Sequence, residues 1–98
     1  MSKLISVKRS DREGKKWVAE FKMADGGLRH THFGGAGYTD YTRGASDEQR
    51  TRYRERHHKD LLSKDPTSAG LLSHYILWGP SRSMERNIQI FKREFSLN

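Results

Sequence analysis

Five histidines, a glycine-tyrosine run and two rows of arginine are the residues of this 98-residue sequence whose chemistry invites a function. His30 and His32 stand two apart, so on a strand they share one face, and His57 and His58 follow on a later segment. Three or four imidazoles brought together would suit zinc. The chain has no cysteine and no HExxH spacing, so the expectation is histidines that are exposed or hydrogen-bonded, with no metal site. His74 lies inside an apolar stretch and is expected to be a buried or half-buried hydrogen-bonding residue. In "THFGGAGYTDYT" the glycines at 34, 35 and 37 offer bare N–H groups to a phosphate, or the positive φ angles of a tight turn. The lysine and hydroxyl of a nucleotide P-loop are missing, and no helix opens directly behind the glycines. The main expectation is therefore a turn that lets Tyr38 and Tyr41 fold back on the sheet. Gly35, Gly37, Tyr38 and Tyr41 stay open as a stacking or phosphate loop. No G-x-S-x-G or cysteine nucleophile is present, and Asp11, Asp25, Asp47 and Asp65 sit where caps and turns need them. The residues predict no enzyme, no cofactor and no small-molecule substrate.

Nineteen Lys and Arg against twelve Asp and Glu give a net charge of +7, which draws the protein toward polyanions. The segment "RTRYRERHHK" holds five Lys and Arg against one Glu, with Tyr53 interleaved. On a helix, Arg50 and Arg54 share one face with His57 or His58, while Arg52, Arg56 and Lys59 share another. Arg82, Arg86 and Arg93 form a second row near the C-terminus. Two such rows favour contacts to the phosphates of nucleic acid, which arginine grips bidentately. A solvated helix face is the alternative, since residues 46–66 net only +1.

The elements that must position these residues are punctuated clearly. In "KWVAEFKMA" the residues Trp17, Ala19, Phe21 and Met23 alternate with Val18, Glu20 and Lys22, the period-2 pattern of a strand with one face on a core. "LISVKR" precedes it as a shorter strand, with a turn around Gly14. "DGG" from Asp25 predicts a type I′ hairpin turn, and "LRHTHF" returns as a third strand. Ser46 with Gln49 forms a capping box, which starts a helix through "DEQRTRYRERHHK". Asp65-Pro66 predicts a second helix start, leading into a buried "TSAGLLSHYILW". After Gly79-Pro80 the chain restarts at Ser81 or Ser83, and Met84, Ile88, Phe91 and Phe95 make one apolar stripe. Trp78 is expected between the last two helices. The reading is one small α+β domain over residues 1–98: a three-stranded antiparallel meander at about 3–34, a glycine-tyrosine loop at 34–45, and three helices at about 46–95 packed on one face. A domain this small buries only about 60 to 65% of its unfolded surface, so the core is modest. Absent cysteine fits a reducing compartment, and with no secretory signal or membrane span the chain reads as intracellular, unprocessed and soluble.

The segments "HFGGAGYTDYT", "RTRYRERH", "DPTSAGLLSHYILWG" and "SMERNIQIFKREF" resemble, in order and spacing, a family of small basic proteins encoded by large DNA viruses of algae and amoebae. The resemblance spans roughly Arg29 to Phe95. It carries no assigned activity, so no catalytic residue follows from it. It implies a viral origin and a place in the virion or at the packaged genome, with host cytoplasm or viral factory during infection. Two functions fit. The first is backbone binding of nucleic acid without sequence preference, through Arg50, Arg52, Arg54, Arg56, Lys59, Arg82, Arg86 and Arg93. The second is a minor capsid or cement protein whose basic and apolar surfaces meet acidic virion proteins. No membrane partner is expected in either.

Overall fold

The alternation around Trp17 becomes β2 (Lys15–Lys22), which pairs antiparallel with β1 (Lys3–Arg9) on one side and β3 (Leu28–Gly35) on the other. The structure is a computed structural model and describes residues 2–98. Register sets the faces. Leu4 opposes Phe21, Val7 opposes Ala19, and Trp17 opposes Phe33 on the face that the helices cover. Lys8, Val18 and His32 align on the other face, as do Ser6, Glu20 and His30. A bulge between Leu4 and Ser6 inserts Ile5, which is half exposed.

The β1–β2 turn uses Gly14 at φ +84°. The β2–β3 turn differs from the type I′ expected of Asp-Gly. Gly26 N–H bonds to Met23 C=O and Met23 N–H to Gly27 C=O, and only Gly26 of the central residues has positive φ. This is a type I turn closed by a glycine bulge. Asp25 keeps negative φ because its Oδ1 accepts the Gly27 N–H at 2.8 Å.

α1 (Asp47–Arg56) begins at the expected capping box: Ser46 Oγ accepts the Gln49 N–H, and Gln49 Oε1 accepts the Ser46 N–H. It stops at Arg56 instead of reaching Lys59, and a 3₁₀ turn over His58–Leu62 follows. The next helix starts three residues later than Asp65-Pro66 suggests. Asp65 Oδ1 accepts the Thr67 N–H and hydroxyl, a local turn that holds its carboxyl below the ordinary range. Ser68 then caps α2 (Ala69–Leu72), which widens into a π-helical turn over Ser73–Leu77. Ser83 caps α3 (Met84–Glu94). No helix among the described residues is long and apolar enough to cross a membrane.

Leu4, Ala19, Phe21 and Phe33 from the sheet meet Leu72, Ile76, Leu77, Phe91 and Leu97 in the core. The α+β meander with helices is as the sequence reads. Two closures were not legible in it. Buried Asn87 ties α3 back to the preceding turn, donating to Ile76 C=O and Ser81 C=O and accepting from Ser81 N–H. Leu4 N–H bonds to Leu97 C=O, which fastens the C-terminal residues to the edge of β1.

Candidate nucleic-acid interface

The glycine-tyrosine run is built on a buried ion pair. Asp40 is 1% exposed, and its Oδ2 accepts from Lys16 Nζ of β2 at 2.8 Å while its Oδ1 accepts from the N–H and hydroxyl of Thr42. That carboxylate therefore pins the loop to the sheet and caps a 3₁₀ turn over Tyr41–Arg43. Gly34, at φ +79°, lies where a Cβ would come within 2.9 Å of Leu77 Cδ1, so the chain leaves β3 only by having no side chain there. A Cβ on Gly35 would meet the Tyr38 ring at 2.8 Å, and that ring rests on the bare backbone.

The two tyrosines part ways. Tyr41 is half-buried and held by residues outside the sheet: Arg82 stacks on its ring at 4.1 Å, Arg50 lies 5.5 Å from the ring centre, and its hydroxyl donates to Asp47. That bond to Asp47 raises the Tyr41 pKa above its ordinary value. Tyr38 folds back only as far as Gly35 at the end of β3 and stands 76% exposed.

Two concavities flank Tyr38 and share it with Lys16 and Thr39. One is a groove of about 530 Å³ lined by Arg9, Lys15, Lys16, Trp17, Gly37 and Arg43, with no acidic residue in its wall. Arg9, Lys15 and Arg43 make no ion pair among the described residues. The other is a cleft of about 560 Å³ between the loop and α1. Arg52, Arg56 and Gln49 border it, and its wall is a stack in which Tyr53 lies 4.4 Å from Trp78 and 4.2 Å from His57. Trp78 is buried, and α1 supplies part of its cover, since Tyr53 presents a ring nearly parallel to the indole.

The arginines expected to meet phosphate divide by what they touch. Arg50 Nε donates to Trp78 C=O and Gly79 C=O, and Arg54 donates to His74 C=O and Trp78 C=O. Both clamp α1 onto the carbonyl end of the π-helical turn, whose charge they complement. Arg82 donates to Tyr41 C=O and Ala45 C=O. Arg52 pairs with Glu48 on the exposed face of α1. Arg56 enters the cleft, Lys59 is exposed, and Arg86 and Arg93 border a shallow hollow on the far side of α3. The structure brings Arg52 and Arg56 to Tyr38 and leaves Arg86 and Arg93 apart from it. The groove residues Arg9, Lys15 and Arg43 escaped the sequence reading, because they sit singly on three separate segments.

The histidines do not converge. His30 bonds to Glu20 and His32 to Ser10 on the outer sheet face, while His57 faces Asp60 at 3.5 Å. Among the described residues no group of three or more His, Cys, Asp or Glu is placed to hold a metal ion. His74 is fully buried with both ring nitrogens unpartnered, where a hydrogen bond was expected. Its neighbours are aromatic rings and the guanidinium-clamped carbonyls. Burial, with Arg54 close by, lowers its pKa to about 4.

Fold and site together define a small α+β protein with an exposed tyrosine set between a cationic groove and an aromatic-walled cleft. Residues 5–57, from β1 through α1, match a family of unknown function, DUF5754, and the chain belongs to that family. It is also 36% identical over 80 residues to Uncharacterized protein L851 of Acanthamoeba polyphaga mimivirus, covering 76% of this chain and 80% of the relative. No solved structure matches. The class these findings support is a viral protein of α+β fold. The family match takes in the first two strands, which the sequence resemblance, running from Arg29, had left out.

Proposed function

We propose that this is a non-enzymatic, virion-associated protein that binds the backbone of nucleic acid without reading its sequence, through the surface around Tyr38. The observation that carries the reading is the groove at Arg9, Lys15 and Arg43: three unpaired cations and no carboxylate beside an exposed aromatic ring. Unpaired arginine and lysine in a concave wall attract phosphate and release its counterions on contact. The ring adds a face that any base can stack on, which gives affinity without sequence choice. The relative's viral origin supports the setting in a virus. Arg50, Arg54 and Arg82 take a supporting part here, since their hydrogen bonds go to backbone carbonyls.

The test is fluorescence anisotropy with labelled DNA of unrelated sequences. Reversing Arg9, Lys15 and Arg43 together to Glu is expected to weaken binding to all of them alike by about tenfold or more, because phosphate contacts position without specifying. Reversing Arg86 and Arg93 is expected to matter less. Equal loss from both variants would place the contact elsewhere. No binding by the wild-type chain at low salt would overturn the reading in favour of acidic protein partners.

A further inference from the structure

We infer that the nucleic acid is single-stranded, and that one unpaired base enters the cleft beside Tyr38 while its neighbouring phosphate lies in the cationic groove. The inference rests on the backbone-binding reading and adds to it the state of the strand. Tyr38 lines both concavities, so a nucleotide straddling it puts its base on one side and its phosphate on the other. The two sides differ in the required sense. The groove wall carries Arg9, Lys15, Lys16 and Arg43 with no acid, whereas the cleft wall combines Arg52 and Arg56 with an aromatic stack in which Tyr53 and Trp78 lie 4.4 Å apart at 8° between planes. The cleft's volume of about 560 Å³ falls within the roughly 300–1,000 Å³ of small-ligand pockets.

Its polar groups also suit a base edge. Asp40 contributes no free charge, because Lys16 and Thr42 satisfy both its oxygens. Gln49 uses its Oε1 on the Ser46 N–H, which leaves the side-chain NH₂ without a partner among the described residues. Inside a duplex both faces of each base are covered by neighbours, so away from the ends stacking on Tyr38 requires an unpaired one. The bare backbone of Gly35 is what lets the ring stand there.

Three probes of equal length decide it: an oligothymidylate, a strand of abasic sugars, and a blunt duplex, each titrated with the native chain and with Tyr38→Ala. Tyr38 is exposed, so its loss does not threaten the core. The native chain is expected to prefer oligothymidylate to the abasic strand by roughly 5- to 160-fold, the range of one stacked base. Tyr38→Ala should erase that preference and leave abasic binding unchanged. Equal binding of all three probes by the native chain would overturn base entry while the backbone reading stands. An equal loss on both single strands in Tyr38→Ala would also overturn it, by making Tyr38 a backbone contact. Absence of binding to every probe at low salt would overturn both.

Discussion

Arg50 and Arg56 lie on the same helix and have the same side chain, yet their surroundings give them opposite roles. Arg50 and Arg54 share Trp78 C=O at the end of the π-helical turn, so Ala at position 50 strips the guanidinium from Gly79 C=O and Ala at position 54 strips it from His74 C=O. The expected cost is about 1.5–3 kcal/mol per site, the range for hydrogen bonds to a charged group, read by urea denaturation. Arg56→Ala should stay within about 0.5 kcal/mol, as for a surface change without partners. Should Arg50→Ala prove neutral, the clamp is not part of the fold's stability. His74 adds a pH signature at the same scale. Its folded pKa of about 4 lies below the 6.5 of a free imidazole, so between those values the unfolded chain holds a proton that the native one refuses. Stability is therefore full above about pH 6.5 and declines as pH falls toward 4, by roughly 3 kcal/mol in all. His74→Met should flatten that decline, and an unchanged acid limb would show that other groups cause it.

Elements end here in ways that separate what a sequence displays from what it conceals. α3 closes with Ser96 at φ +54°, Leu97 N–H bonding back to Lys92 C=O, and Leu97 then entering the core. That left-handed cap is one glycine prefers, so Ser96→Gly is expected to raise stability by about 0.5–1 kcal/mol in a thermal melt. The neighbouring glycines give a paired expectation. Gly34→Ala meets both strain and Leu77 and should cost about 1–3 kcal/mol, whereas Gly35→Ala only displaces the Tyr38 ring and should weaken binding with little change in melting. The meander and the Ser46 and Ser83 caps were legible because alternation and capping are local signals. The shift of the second helix start was not, since Asp65 and Ser68 both offer a capping oxygen and only packing of the following turn decides between them. The arginine roles were hidden for a stronger reason. Whether a guanidinium meets solvent or the carbonyls of residues 74–79 depends on how helices dock, which helical spacing alone does not state. The groove was hidden too, because Arg9, Lys15 and Arg43 become neighbours only when the β1–β2 hairpin and the loop after β3 come together.

At the scale of the whole molecule, the charge of +7 does not spread evenly into function. Part of it clamps α1 and the Tyr41 loop in place, part faces solvent on α3, and part converges without counter-charge beside Tyr38. Binding at that last surface is an electrostatic event, and salt reads it directly. The measurement is the affinity of the native chain for oligothymidylate across a series of salt concentrations, plotted as logarithm against logarithm. With Arg9, Lys15 and Arg43 each neutralising one phosphate, the plot should be a straight line of slope about −2, from −0.7 per phosphate on a single strand. A slope near zero, or no measurable affinity at low salt, would contradict the account.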